Sequence, residues 1–282
     1  MGGQLMKKLK ESALNIISLM WQDMINLKHL LDGYGKDREV AVHARQLRKK
    51  GITVIENFID KNSIGMIKRR LEDLIKDVSA PLRMDNGTYI HIRGHSSETN
   101  ADHGMIDVFN VDNSIHEVNA IDTSLLTDII KKASGQKVKP IRKNAYINRN
   151  IKQTRIYHVD NVQPVIYKGF LYLTDVTADE YGPYSLVTGS HRFSPYVYWN
   201  LFRNLFLKDY RSTDMPHYRT KKVIAAYGDA GALVLSNQNA IHRGLPQGEG
   251  KERIALIFNF LVISRASYFS KSFKNHLRRN TM

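Results

Sequence analysis

The sequence predicts an α+β, mainly β protein: a sandwich or jelly roll of short strands, with helices at the N-terminus and on the flanks. Three observations point there. From about Lys139 onward the chain reads as short β-branched and aromatic runs bounded by glycine-containing turns. Ahead of that point the apolar residues recur every three or four positions, the period of helices packed by one face. Within the strand-rich half, Tyr157-His158-Val159-Asp160 sets an imidazole and a carboxylate two residues apart. On an extended segment such side chains project to the same face.

The early elements follow in order. Met6, Leu9, Ala13, Ile16, Met20, Met24, Leu27 and Leu31 mark one face of a helix over residues 5–31, ended near Gly33 and Gly35. Lys7, Lys8 and Lys10 at its start would suit a membrane surface or a partner. Packing against the chain's own core is the stronger expectation, because the later residues are not especially basic. A short helix runs from Glu39 to Lys50, then a strand over Gly51–Ile59. Asp60 or Ser63 caps the next helix, whose inner face is Ile64, Ile67, Leu71, Leu74 and Val78.

Residues 80–122 are the least regular part. Tyr89–Arg93 and Met105–Phe109 alternate like strands between polar loops. His91, His95, Asp102 and His103 lie here, but their spacing matches no compact ligand set, and solvated loop residues are the plainer reading. Long irregular segments also carry recognition, so a substrate-facing insertion is the functional alternative. A helix over Thr123–Ala133 precedes Gly135. Strands are then expected at Ile141–Ile147, Thr154–Val159, Val165–Thr174, Tyr184–Thr188, Lys222–Tyr227, Ala232–Ser236 and Arg253–Val262, with one helical insert at Tyr196–Phe206. Residues 264–282 carry Arg265, Lys271, Lys274, Arg278 and Arg279 with no acid, a basic tail suited to a partner. The expected division is a helical extension over 1–45, one domain over 46–263 and the tail over 264–282.

Composition narrows the chemistry. The 282 residues include no cysteine, which excludes disulfides and thiolate metal sites and leaves His and carboxylate as ligands. No apolar run reaches the length of a membrane span, and the reading is a cytoplasmic protein. A net charge of +15 attracts anions, whether nucleic acid, a membrane surface or an anionic substrate. No zinc finger, helix-turn-helix or RNA-binding pattern accompanies that charge. The oligomeric state is left open.

His158 and Asp160 supply two members of a 2-His-1-carboxylate set, the ligand pattern of non-haem Fe(II) oxygenases, and His242 supplies the third. An isolated H-x-D arises often by chance. Arg253, eleven residues after His242 in an apolar strand, strengthens the pattern. Together with Gly182-Pro183-Tyr184-Ser185-Leu186-Val187-Thr188-Gly189-Ser190-His191-Arg192 and Gly228-Asp229-Ala230-Gly231, these residues resemble the phytanoyl-CoA dioxygenase family. The likeness covers about 45–263 and is weak over 80–130.

That resemblance implies a cupin-like double-stranded β-helix binding Fe(II) and 2-oxoglutarate and using O2. His158, Asp160 and His242 would hold the iron, and Arg253 the distal carboxylate of 2-oxoglutarate. By the same pattern His191 is a structural histidine and not a ligand. Thr188 stands where the family commonly has Pro, and Tyr181-Gly182 where it has Asn-Gly; neither touches a ligand, and the resemblance does not fix loop shape or substrate. The expected activity is hydroxylation of a small, anionic or carrier-linked molecule. The alternatives are a silent barrel acting as a binding protein, and a nucleic-acid-associated oxygenase.

Overall fold

The computed structural model describes residues 38–94, 101–160, 165–204, 206 and 213–263, together with Ala13, Ile16, Ile17, Leu19, Met20 and Met24. Those six N-terminal positions are helical; the rest of the helix expected over 5–31, and the basic tail at 264–282, lie outside the described residues.

Five helices follow: α1 (Arg38–Lys50), α2 (Lys61–Ile75), α3 (His116–Asn119), α4 (Ser124–Ser134) and α5 (Pro195–Asn204). The strands are β1 (Ile52–Ile55), β2 (Leu82–Arg83), β3 (Tyr89–Ile92), β4 (Ile106–Phe109), β5 (Lys137–Arg149), β6 (Ile166–Tyr172), β7 (Tyr184–Val187), β8 (Val223–Ala226), β9 (Leu233–Asn237), β10 (His242–Gly244) and β11 (Glu252–Ile263). Eight form one antiparallel sheet in the order β1-β9-β6-β11-β5-β4-β3-β2, and β10-β7-β8 form a second. This is the jelly-roll architecture of a double-stranded β-helix.

Strand period explains how the large sheet serves two layers. Along β11, Ile254, Leu256, Phe258 and Phe260 join the core beneath the helices, while Ala255 and Ile257 face the small sheet. Helices α1, α2 and α4 meet that outer face with Val40, Ala44 and Leu47, with Ile64, Ile67 and Leu71, and with Leu126, Ile129 and Ile130. Their ends are satisfied locally. Asp60 caps α2 by accepting from the Ser63 backbone N–H at 3.0 Å. Arg48, in the last turn of α1, donates to the carbonyls of Lys132 and Ala133 at the end of α4, at 2.6 and 3.1 Å.

One expected strand is absent. Thr154–Val159 joins no ladder; His158 makes only isolated bridges, to Asp214 and to His242. The backbone there is shared between two partners. His158 exchanges bonds with His242 at 2.9 and 2.8 Å, while the Val159 N–H donates to the Thr213 carbonyl at 2.9 Å. Extended sequence character was right, but alternate residues bond to different segments and no ladder accumulates.

Candidate metal centre and cofactor pocket

Between the sheets lies a cavity of about 560 Å³, within the range of small-molecule sites. Its back wall is the inward face of the large sheet: Tyr146 and Asn148 from β5, Lys168, Phe170 and Tyr172 from β6, and Arg253, Ala255 and Ile257 from β11. Each set is spaced by two, so the strand period alone aims these side chains inward.

His158, Asp160 and His242 converge on one side. Their ligand atoms all lie within 4.8 Å of one another, and among the described residues they form the one such group. Oδ1 of Asp160 lies 3.5 Å from Nε2 of His158 and 3.6 Å from Nε2 of His242. Both imidazoles are oriented from behind. Nδ1 of His158 is 2.8 Å from the Ile156 carbonyl, and Nδ1 of His242 is 2.8 Å from the Ala240 carbonyl. A carbonyl only accepts, so each Nδ1 carries the proton and each Nε2 presents a lone pair. Burial also lowers the His158 pKa, favouring its neutral form. The Tyr184 ring stacks on His242 at 5.4 Å, and its hydroxyl is 2.8 Å from Ser236 Oγ.

Asp160 has a second partner that the sequence did not disclose. Nζ of Lys168 donates to its Oδ2 at 2.5 Å. Burial alone would push this carboxyl up, but the adjacent ammonium outweighs it and holds Asp160 well below the usual carboxylate range. Burial would likewise lower Lys168, and the Asp160 charge instead raises it. The carboxylate therefore stays ionised with Oδ1 turned to the two imidazoles. Two imidazole nitrogens and one anionic oxygen are a donor set that fits Fe(II) while leaving further positions open.

Arg253 lines the same cavity, half-buried. Its Nη1 donates to the Gly182 carbonyl, and among the described residues no carboxylate lies within ion-pairing distance. Partial desolvation pulls its pKa below the ordinary value, and no ion-paired carboxylate offsets it. Gly182 holds φ at +69°, and a Cβ there would fall 2.7 Å from the Leu245 carbonyl oxygen, so this turn requires glycine. Two buried acceptors complete the picture: Asn148 Oδ1, paired in register with Arg253, and Gln238 Oε1 have no hydrogen-bond partner. A planar guanidinium with unmet donors fits the distal carboxylate of 2-oxoglutarate.

The irregular region contributes a wall. Arg93 makes a two-pronged contact with Asp107 at 2.7 and 3.1 Å and a third with Asp102 at 3.0 Å. His91, Arg93, Asp102 and Met105 line the cavity, so this segment does face the site. His91 and Asp102 form no metal group with His103 among the described residues, and His95 lies outside them. His191 lies away from the triad. Its Nε2–H donates to the Arg48 carbonyl at 3.0 Å, which makes it structural. Of the cations before the H-x-D segment, Lys143 is spent on the carbonyls of Val118, Asn119 and Ile121, and Arg149 on Glu72 and Glu252.

The residues that sequence reasoning missed are Lys168, Asn148, Gln238 and Tyr184. Lys168 carried one signal, its position two and four residues before Phe170 and Tyr172 on an otherwise apolar strand.

No protein-family model matches the chain, and no curated protein matches it in sequence. Solved structures do match. The epimerase SnoN, in complex with Fe3+, alpha ketoglutarate and nogalamycin RO, gives a TM-score of 0.58 at 12% identity, over 80% of this chain and 84% of that one. AviO1 from Streptomyces viridochromogenes Tue57 gives 0.55 at 16% identity, over 81% and 96%. HygX from Streptomyces hygroscopicus, with nickel and 2-oxoglutarate bound, gives 0.54 at 13% identity, over 80% and 87%. At these identities the likeness establishes the fold.

Proposed function

We propose that this chain is an Fe(II)- and 2-oxoglutarate-dependent dioxygenase that hydroxylates an unactivated C–H bond of a small molecule. One observation carries the reading: His158, His242 and Asp160 converge in the same cavity as a half-buried Arg253 that lacks an anion. The likeness to SnoN and HygX, described with iron or nickel and with 2-oxoglutarate, supports it. SnoN is described as an epimerase and SnoK as a carbocyclase, so the fold alone does not select the outcome. Hydroxylation is the outcome implied by the resemblance to the phytanoyl-CoA dioxygenase family.

In this reading His158, Asp160 and His242 hold the metal, which when bound supplies the redox chemistry that turns 2-oxoglutarate, O2 and R–H into succinate, CO2 and R–OH. The chain's own residues prepare that reaction. The Ile156 and Ala240 carbonyls fix both imidazole tautomers, and Lys168 holds the second Asp160 oxygen away from the ligand position. Arg253, braced by Gly182, binds the distal carboxylate and sets the orientation of 2-oxoglutarate. Phe170, Tyr172 and Ile257 keep that wall apolar and exclude water. The β3–β4 wall, with Arg93, Asp102 and His91, contacts substrate.

The anionic or carrier-linked character proposed for the substrate rests on the +15 charge. Inside the cavity Arg93, Arg155 and Lys168 are each paired with a carboxylate, so the attraction acts over distance and not through a dedicated contact. The test is incubation with Fe(II), 2-oxoglutarate, O2 and a metabolite extract. A species gaining one oxygen atom, in step with succinate, supports the proposal; succinate formation with no oxidised species in any extract argues against hydroxylation.

A further inference from the structure

Helix α5 buries Val197 and Leu201 against Tyr157, Val159, Met215 and Ile241, the apolar backing of the H-x-D segment. Its other face is unusual. Trp199 and Phe202 on the helix, and Phe206 two residues past its end, recur every three or four positions and are between 52% and 65% exposed, with Phe193 just ahead at 68%. Among the described N-terminal positions, Leu19 enters the same buried cluster as Val197 and Leu201, while Ile17, Met20 and Met24 are exposed. Soluble surfaces scatter such residues singly, whereas a contiguous apolar patch marks a binding face.

Cations outnumber acids around it. From Arg192 to Asp214 the sequence holds Arg192, Arg203, Lys208 and Arg211 against Asp209 and Asp214, with Asp214 paired to Arg155, and from Pro216 to Tyr227 it holds Arg219, Lys221 and Lys222 and no acid. The second stretch is fastened to α5, since Asn200 donates to the His217 carbonyl at 2.6 Å and accepts from the His217 N–H at 3.2 Å. Arg219 lies over the Tyr196 ring at 5.9 Å.

We infer that this face docks on an anionic lipid bilayer, with Trp199, Phe202 and Phe206 entering the interface and the flanking cations meeting lipid headgroups. An apolar helix face bordered by Lys and Arg is the pattern of interfacial membrane binding. A second copy of the chain is the weaker occupant, because it would bring two cation-flanked faces together on chains of +15 each. Nucleic acid is weaker too. Phe202 and Phe206 pack edge to face at 66°, and Ile17, Met20 and Met24 offer no ring for a base to stack on.

Tryptophan reports the event directly, because the chain has two, Trp21 and Trp199. Full-length Trp21→Phe protein is mixed with vesicles of phosphatidylcholine alone, or with one part in three of phosphatidylglycerol. The expected result is co-sedimentation with the anionic vesicles, weakening as salt rises. A blue shift of Trp199 emission and its quenching by brominated acyl chains should accompany it. A Trp199→Ser, Phe202→Ser, Phe206→Ser variant with an unchanged melting curve should partition at least about tenfold more weakly. The inference is overturned by absence of co-sedimentation, or by co-sedimentation with no change at Trp199. A Trp199 shift seen only on self-association, or only with single-stranded RNA, overturns it as well. The fluorescence outcome stands whether or not the triple variant folds.

Discussion

Lys168 Nζ sits 2.5 Å from Oδ2 of Asp160, while Oδ1 of the same carboxylate faces the two imidazoles. Both side chains are about four-fifths buried. In the proposed reading one carboxylate serves two cations, the lysine at Oδ2 and a metal at Oδ1. Removing one partner of a buried pair is costly because the other charge remains unpaired.

Lys168→Met should therefore destabilise the metal-free protein by about 3–5 kcal/mol. Added Fe(II), or Mn(II) as a redox-silent substitute, then compensates the stranded Asp160 charge. The thermal shift on adding metal should be larger in the variant than in the parent protein. Equal shifts would mean that Lys168 and the metal do not share Asp160.

Arg253→Ala should weaken 2-oxoglutarate binding by about a hundredfold, the usual size of a lost charge-assisted two-pronged contact. Mn(II) affinity, measured without 2-oxoglutarate, should stay close to that of the parent. Unchanged 2-oxoglutarate affinity by anaerobic calorimetry would assign the anchor to another cation.

Gly182→Ala tests the brace behind that arginine. An alanine at φ +69° costs about 1–2 kcal/mol in backbone strain alone, and its Cβ would press on the Leu245 carbonyl. Stability should fall, and KM for 2-oxoglutarate should rise because the Gly182 carbonyl positions Arg253. A variant with lowered Tm and unaltered KM would separate the turn from the site.

His191 should make stability acid-sensitive. Burial pushes its pKa down to about 4, and Nδ1 has no hydrogen-bond partner, lying 2.7 Å from where a Cβ on Gly51 would be. The unfolded chain takes up this proton near pH 6.5 and the folded chain only near pH 4, so stability is full above 6.5 and declines as pH falls toward 4. Between pH 7.5 and 5 this one residue should account for about 2 kcal/mol. Urea midpoints of the parent and of His191→Gln at the two pH values measure it. An equal loss in both proteins would place the acid sensitivity elsewhere.

The sequence disclosed whatever local period and spacing determine. The helix at α1, the inner face of α2, the Asp60 cap, the alternating runs at Tyr89 and Met105, and the long β11 were all readable, because each is fixed within a few residues. The H-x-D pair with distal His242 and Arg253 was readable by order and residue type, and the chain does bring the four into one cavity.

What was hidden depends on contacts across the fold. Lys168 in a strand reads as a solvent-facing cation until β6 is seen to face Asp160. His91 and Asp102 looked like solvated loop residues because the pairing of β3 with β4, which sets His91 opposite Asp107, is invisible in a region of four-residue strands. Thr154–Val159 looked like a strand because its side chains alternate, yet its backbone partners come from two separate segments. Lys143 and Arg149 are cations shortly before the H-x-D segment, and distant carbonyls and acids consume both.

The central claim is that His158, Asp160 and His242 together hold a redox-active iron that consumes 2-oxoglutarate. Its most direct test is succinate production from labelled 2-oxoglutarate under air, with Fe(II) supplied, in the parent protein and in folded His242→Ala. The account predicts Fe(II)- and O2-dependent succinate from the parent and loss of nearly all of it in the variant, together with weakened metal binding. Undiminished succinate from His242→Ala would contradict it.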